Sequence, residues 1–208
     1  MLEYRKMTQE ELHTCSLLAA KAFYDYEYFS IFVPHDKRRQ HFLNALIRCE
    51  FQANFRKSTV NYITAWENGR IVAVAQLCTP YFKKPSDFDY IKAGYLNAAF
   101  KGGFRTTAAW VEMDRKASAP CHKLGEKNWY LSLLTVAKPD EGRGIGSCFL
   151  NEYIIPYVKA AGGEIISLFT NSEINCKFYE KNGFFLFDKK QFEYGGKTIG
   201  SWSYKMKL

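Results

Sequence analysis

Apolar residues in the first quarter of the chain follow two different spacings, and each spacing predicts a different element. Residues 2–7, "LEYRKM", alternate apolar and charged side chains, as a short strand with one buried face does. Thr8 and Glu11 then have the spacing of a capping box, which marks a helix start. Apolar residues recur at helical intervals from there to Phe23, and again after "VPHD" at 33–36. The pattern predicts one strand followed by two helices.

The next patterned segment is a hairpin. "VNYITAW" at 60–66 and "IVAVAQLC" at 71–78 are rich in residues typical of strands, and the turn "ENGR" joins them. From 79 to 127 the pattern loosens into helical runs rich in Tyr, Phe and Ala, interrupted at Gly102-Gly103 and at Pro120. We interpret residues 79–127 as a helical insertion.

Strands and helices alternate in the second half. Residues 129–136 and 164–169 predict buried strands, and two further strands, "FFLFDKKQFEY" and "TIGSWSYKMKL", end the chain. Helices are predicted at 147–161, which Pro156 should kink or shorten, and at 172–182. The order β-α-α-β-β, insertion, β-α-β-α-β-β indicates a single mixed α/β domain over residues 1–208.

The composition fits a globular protein with a substantial core, since 47% of residues are hydrophobic and 24% are charged. No apolar run approaches the roughly 18–20 residues that a bilayer span needs, so no membrane partner is expected. The six cysteines occur singly, and the start "MLEYRKMTQEEL" lacks the apolar segment of a signal peptide. These features favour reduced thiols and a cytoplasmic location. The spacing of metal ligands is absent, so no metal site is expected.

The formal net charge of +8 would suit an acidic partner such as nucleic acid or an anionic cofactor. The Lys and Arg residues are nevertheless scattered, and the densest cluster is only "KRR" at 37–39. A solvated basic surface is therefore favoured over a nucleic-acid interface.

The densest chemical signal is the stretch "VAKPDEGRGIGSCFL" at 136–150, where a predicted strand leads through glycines into a predicted helix. Free N–H groups at a helix start converge on one point and attract negative charge, and glycines let a phosphate approach the main chain. The nucleotide P-loop needs a lysine after its last glycine, but Ser147 stands there. The dinucleotide fingerprint needs a third glycine at that same position. Neither motif fits, so the prediction of an anion site rests on the helix start and the glycines alone.

A third motif, [QR]-x-x-G-x-[GA], matches at Gly144 and Gly146, although Glu141 replaces the Gln or Arg of its first position. On this loop, on the Val-x-x-Pro lead-in and on "NCKFYEKNGF" at 175–184, the chain resembles the GNAT superfamily of acyl-CoA-dependent N-acyltransferases. The fragments "HKLGEKNWYLSLLTV" and "GGKTIGSWSYKM" are similar to the branch that contains puromycin acetyltransferase. The resemblance implies a mixed, mostly antiparallel central sheet with helices on both faces.

The resemblance also implies a cosubstrate, acetyl-CoA, and the residues that bind it. The end of the strand before the loop would bind the pantetheine arm and the thioester oxygen, the loop would bind the pyrophosphate, and Asn175 matches a coenzyme-contacting position. Tyr179 matches the tyrosine that protonates the leaving thiolate, although a core tyrosine is its alternative. The strand and loop positions are Leu134, Thr135, Val136, Gly142, Arg143, Gly144, Ile145, Gly146 and Ser147.

The base that would receive the proton of the attacking amine is not determined by the sequence. His122 precedes the coenzyme strand and has a side chain that titrates near neutral pH, but a lone His is more often structural. A water relay needs no such side chain. Other candidates are Glu112, Glu126 and Glu173.

"FYDYEYF" at 23–29 is aromatic on every side, more than one buried helical stripe absorbs. We therefore predict that this segment and the insertion form an acceptor pocket, with Tyr24 and Phe29 in its wall. Asp25 and Glu27 would hold an ammonium group. The function predicted is acetyl transfer from acetyl-CoA to the primary amine of a small molecule. The alternatives are an N-terminal acetyltransferase of proteins or peptides, a non-catalytic CoA-binding module and a basic nucleic-acid-binding protein.

Overall fold

The computed structural model describes residues 1–208 and contains one seven-stranded sheet in the order β1-β2-β3-β4-β5-β7-β6. The strands are β1 (Glu3–Lys6), β2 (Val60–Glu67), β3 (Arg70–Cys78), β4 (Asn128–Val136), β5 (Ile165–Thr170), β6 (Phe185–Tyr194) and β7 (Lys197–Lys207). All neighbouring strands are antiparallel except β4 and β5. The predicted mixed, mostly antiparallel sheet is confirmed.

Helices cover both faces of this sheet. They are α1 (Leu12–Ala22), α2 (Glu27–Phe32), α3 (Asp36–Asn54), α4 (Asp87–Lys92), α5 (Tyr95–Gly102), α6 (Phe104–Ser118), α7 (Ile145–Cys148), α8 (Ile155–Ala160) and α9 (Glu173–Lys181). No helix is both long enough and apolar enough to cross a membrane. The segment 79–127 contains α4, α5 and α6, as its helical runs predicted.

Alternate residues of the central strands point to two separate cores. Tyr62, Cys78 and Tyr130 face the layer formed by α1, α2, α3 and α6. Leu77 and Leu131, each next to one of these in sequence, face the layer formed by the α7–α8 segment and α9. Because successive strand residues point to opposite faces, the apolar runs of β3 and β4 supply both cores at once.

The parallel pair β4–β5 opens after three residues. Asn128 to Tyr130 pair with Ile165 to Ser167, but both strands continue beyond that point without pairing to each other. A β-bulge at Ser132 interrupts the pairing of β4 with β3, close to the point where β4 and β5 separate. The far edge of β4, up to Val136, is therefore free to bind a ligand through its backbone.

Two elements differ from the sequence prediction. The run to Phe23 was expected as one helix, but a short second helix, α2, follows it. Pro156 was expected to kink or shorten its helix; instead a π-helical segment, Phe149–Ile154, precedes it and the helix continues as α8. Since proline lacks an N–H and crowds the carbonyl four residues back, the wider turn accommodates it.

Candidate active site

Residues 142–147, which we call the glycine loop, connect β4 to α7. Gly142 and Gly144 have φ angles of +78° and +82°, a conformation that residues with a Cβ rarely adopt. A Cβ at either position would meet no protein atom within 4 Å, so conformation rather than crowding requires glycine here. The six amide N–H groups of the loop donate no hydrogen bond within the protein. Such a row of donors at a helix start suits an anionic group.

An ion-pair network holds the loop against the β2–β3 turn. Arg143 donates to both oxygens of Glu67, at 2.8 and 2.9 Å, and to Asp140 at 2.5 Å. Arg70 donates to both oxygens of Asp140, at 2.5 and 2.7 Å. Asp140 is buried, and hydrogen bonds from Arg70 and then Arg143 lower its pKa to about 2. The Arg143 guanidinium thus serves the loop's own structure, and its backbone N–H belongs to the donor row.

Gly146 is required for a different reason from Gly144. A Cβ on Gly146 would lie 3.2 Å from Cζ of Phe178 and 3.7 Å from Cγ2 of Val136. Its neighbour Ile145 is buried in the core beneath α7. The missing side chain at Gly146 therefore lets α7 pack against α9 and β4, whereas the sequence suggested only close approach of a phosphate.

A cavity of about 190 Å³ begins where β4 and β5 separate and runs between the sheet and α1, α2, α3 and α6. Among the predicted site residues, its wall includes Phe29, His122, Leu134, Asn175 and Tyr179. The structure therefore brings the proposed thioester strand, the proposed proton donor and one predicted acceptor residue to one space. Thr135 and Val136 follow Leu134 along the free edge of β4.

Tyr179 lies on α9 at the outer end of this cavity. The residue is 8% exposed, and its hydroxyl has no hydrogen-bond partner in the protein. The Phe178 and Phe184 rings pack beside its ring, with centroids 5.1 and 5.6 Å away. Burial, and after it the nearby Tyr26, raises the pKa of Tyr179. The hydroxyl is therefore protonated at neutral pH and available to donate a proton into the cavity.

Tyr26, from the same aromatic segment, ties the helical layer to the end of β5. Its hydroxyl accepts from the Asn171 amide at 2.8 Å and lies 2.9 Å from Oγ1 of Thr170. Burial raises the pKa of this hydroxyl, so it also keeps its proton. Tyr26 and Asn175 both line the cavity. The aromatic segment therefore contributes to the site through a residue that the sequence interpretation did not select.

Three of the predicted acceptor residues lie outside the cavity wall. The Tyr24 ring lies under the Arg39 guanidinium, 4.6 Å from its carbon. Asp25 is exposed and pairs with Lys138 at 3.1 Å, and Glu27 is exposed in the first turn of α2. Both carboxylates are exposed to solvent, so they do not meet the space that Phe29 lines.

Most of the candidate bases also lie outside the cavity wall. Glu112 pairs on the protein surface with Arg115 at 2.7 Å. Glu126 and Glu173 are exposed and do not line the cavity. His122 does line it, with its ring 4.7 Å from that of Tyr130, and burial followed by the charge of Lys84 lowers its pKa. A neutral imidazole is the form that accepts a proton.

Two carboxylates that sequence reasoning missed also line the cavity: Glu50 of α3 and Asp114 of α6. Burial and then the charge of Asp114 raise the pKa of Glu50 to about 7, and burial raises the pKa of Asp114. The sequence signal that could have identified these two acids was helical periodicity. Glu50 lies four residues after Leu46, and Asp114 four residues after Trp110, so each acid continues an apolar helical stripe.

No protein-family model matches the sequence, and neither does any curated protein. Solved acetyltransferase structures do share its fold. One, described as histone acetyltransferase HPA2 and related acetyltransferase from Corynebacterium glutamicum, is 20% identical, with a TM-score of 0.65 over 97% of this chain and 94% of that one. The PaiA N-acetyltransferase from Thermoplasma acidophilum, in complex with coenzyme A, is 13% identical, with a TM-score of 0.57 over 100% and 99%.

A third similar structure is the ribosomal-protein-S18-alanine N-acetyltransferase from Escherichia coli, which is 10% identical, with a TM-score of 0.57 over 100% of this chain and 94% of that one. At identities this low, the structural likeness shows the fold alone. Strand order, the separating β4–β5 pair and the glycine loop agree with that likeness. This chain has the fold of the GNAT acetyltransferases.

Proposed function

We propose that the protein is an acetyl-CoA-dependent N-acetyltransferase that acts on the primary amine of a small molecule. The observation that carries this proposal is the row of six unpartnered N–H groups in the glycine loop, beside the free edge of β4 and the cavity. The loop offers donors to a pyrophosphate, and Glu141, whose carboxylate cannot donate, is not needed for this. The set of residues therefore fits acetyl-CoA, whose thioester would supply the acetyl group and leave as coenzyme A.

The residues of the chain have separable tasks in this reaction. The backbone of Leu134, Thr135 and Val136 binds the pantetheine arm and donates to the thioester oxygen, where negative charge develops as the amine attacks. The new C–N bond forms as the C–S bond breaks. Tyr179 donates its proton to the departing sulfur, and the amine's proton leaves through His122, an inner carboxylate or water.

A small acceptor is favoured by the shape of the cavity. It holds about 190 Å³ and is covered by α2, α3 and α6, whereas a protein tail needs an open groove. Asn175 and Tyr179, both on α9, also line the cavity. The acceptor therefore reaches the thioester from the helical side, and the cosubstrate reaches it along the opened β4–β5 edge.

The test measures release of free thiol from acetyl-CoA across small amines and peptides with free N-termini. We expect turnover with small amines, and stabilisation of about 2.7 kcal/mol at an acetyl-CoA concentration of 100 Kd. Faster kcat/KM with peptides would replace the small-molecule proposal by a peptide acetyltransferase. Stabilisation without turnover would indicate a CoA-binding module, and an unchanged melting temperature would remove the coenzyme assignment.

A further inference from the structure

The end of the cavity farthest from the glycine loop, which we call the inner pocket, carries two carboxylates that form no ion pair, although the charge of Lys84, which lines the same cavity, acts on both. Glu50 comes from α3 and Asp114 from α6, and both line the same space. Glu50 accepts hydrogen bonds from Tyr90 and from Asn54, each at 3.3 Å, but neither acid has a Lys, Arg or His nitrogen within 4 Å. Asp114 accepts no hydrogen bond in the protein. Both acids are half-buried, and acids withdrawn from water are normally paired with a cation, so an ion-pair partner is missing here.

Other acceptors in the inner pocket also have no partner. Asn54 is 1% exposed; its Nδ2 donates to the Glu50 carbonyl at 3.0 Å, and its Oδ1 receives nothing. Tyr28 is 4% exposed, and its hydroxyl oxygen has no partner either. Since unpaired buried polar atoms are rare and costly, this set points to a ligand. The carboxylates, the amide oxygen and the phenol oxygen can all accept hydrogen bonds, as a cationic donor requires, and the Trp110 Nε1–H, which lines the same cavity, is a buried donor that also lacks a partner.

The inner pocket lies some distance along β4 from the proposed reacting end. The charge of Glu50 acts on Cys78, and that of Asp114 acts on Tyr130, which is the cross-strand partner of Cys78. Tyr179 and Leu134 line the opposite, outer end. At about 3.3 Å per strand residue, and allowing for the bulge, Tyr130 and Leu134 are separated by roughly 10–13 Å. One acceptor molecule can therefore span both ends.

We propose that the natural acceptor carries a second cationic group besides the amine that is acetylated, and that Glu50 and Asp114 bind this second group. This inference rests on the proposed function and names its substrate class, a small diamine or an amine with a comparable distant cation. Trp110 and Tyr130 line the space beside the acids and supply aromatic faces that attract a cation. Asp25 and Glu27, predicted for an ammonium group, are exposed outside this cavity.

The titration of the inner pocket agrees with this geometry. The pKa of Glu50 is raised to about 7 by burial and by Asp114, while Tyr90 and Lys84 oppose the rise. His122, Cys49, Cys78 and the phenols of Tyr28, Tyr62 and Tyr130 are the other titratable groups that face the pair from its neighbouring elements. A bound cation favours the ionised acids. Binding should therefore release protons near neutral pH and strengthen as pH rises through about 7.

The experiment compares 1,5-diaminopentane with pentylamine and 5-aminopentan-1-ol in the acetyl-CoA assay. We expect kcat/KM to be roughly 10- to 100-fold higher for the diamine, the range of a hydrogen bond to a charged group. Glu50→Gln and Asp114→Asn should each lower the diamine value towards that of pentylamine. Glu112→Gln, which changes a surface carboxylate of the same helix α6, is the matched control and should leave all three values unchanged. Each variant is first shown to retain its stabilisation by acetyl-CoA.

Two results would overturn the inference while leaving the proposed function intact. One is an equal kcat/KM for diamine and pentylamine. The other is an equal fold-loss for both in Glu50→Gln, which would make Glu50 a proton acceptor for the reaction instead. If no amine is turned over, the proposed function fails. Calorimetry with 1,5-diaminopentane then tests the cation site on its own. Binding with proton release that Asp114→Asn reduces supports the cation site, and no binding refutes it.

Discussion

The glycine loop and the inner pocket are both built to receive charge, but they are built from different parts of the chain. The loop presents unpartnered backbone N–H groups from six consecutive residues, 142–147, and we propose that they bind an anion. The inner pocket offers side chains from α2, α3 and α6, which are as far apart in sequence as Tyr28 and Asp114. A backbone site is a property of one local conformation, whereas a side-chain site exists only after distant elements have packed together.

The two sites also differ in how their charges are balanced. At the loop, Asp140 is paired with two arginines, and its pKa falls to about 2. In the inner pocket no arginine or lysine pairs with Glu50, and its pKa rises to about 7. The ion pairs of Asp140 stabilise the protein without a ligand. In the inner pocket, burial disfavours the ionised form of Glu50 until a cation binds. A chain with a net charge of +8 thus encloses an acidic pocket.

Tyr179 lies between the two sites, and its removal should have the largest effect. Tyr179→Phe keeps the packed ring and removes the proposed proton donor, so kcat should fall by roughly 10²- to 10⁴-fold. Acetyl-CoA affinity, measured by calorimetry, should change little because the glycine loop is untouched. Tyr204→Phe, which removes a hydroxyl that bonds Glu180 at 2.7 Å outside the cavity, is the matched control. An unaltered kcat under conditions where chemistry limits the rate would make Tyr179 a core residue.

The next largest effect tests the loop alone. Gly144→Val should abolish the roughly 2.7 kcal/mol of stabilisation by acetyl-CoA at 100 Kd, because a branched side chain at φ +82° displaces the donor row. Gly162→Val is the matched control, since Gly162 has φ +77° and an equally open Cβ position after α8. Both variants should lose about 1–2 kcal/mol of intrinsic stability. Only Gly144→Val should lose the response to ligand, as followed by thermal melting; equal responses would contradict the loop assignment.

The smallest expected effect is a change in melting temperature when the ion pairs of Asp140 with Arg70 and Arg143 are removed. A depressed carboxyl pKa contributes stability above pH 4, and this contribution is lost as pH falls from about 4 towards 2. Asp140→Asn should therefore lower the melting temperature by about 2–4 °C at pH 7, and the difference from wild type should disappear near pH 2. Glu112→Gln, which breaks an exposed pair, should change the melting temperature far less. A difference that persists at pH 2 would assign the effect to packing.

The sequence alone was sufficient for features encoded by neighbouring residues. Strand alternation, helical stripes and the turn between 66 and 71 predicted the elements. The spacing of Gly142, Gly144 and Gly146 predicted an anion site, which stays a prediction. These features depend on local backbone conformation, which a few consecutive residues determine. The likeness of solved acetyltransferases confirms the fold that this pattern implied.

Tertiary packing decided the rest. Asp25 and Glu27 were predicted in the acceptor pocket because aromatic residues surround them in sequence, but Asp25 is exposed in the turn between α1 and α2 and Glu27 in the first turn of α2. Glu50 and Asp114 were overlooked because each is one acid within an apolar stripe, and only the packing of α3 against the α6 layer brings them to one cavity. Which side chains meet depends on contacts between elements far apart in the chain. Local periodicity predicts which face of a helix is buried. Only the folded protein determines which residues that face contacts.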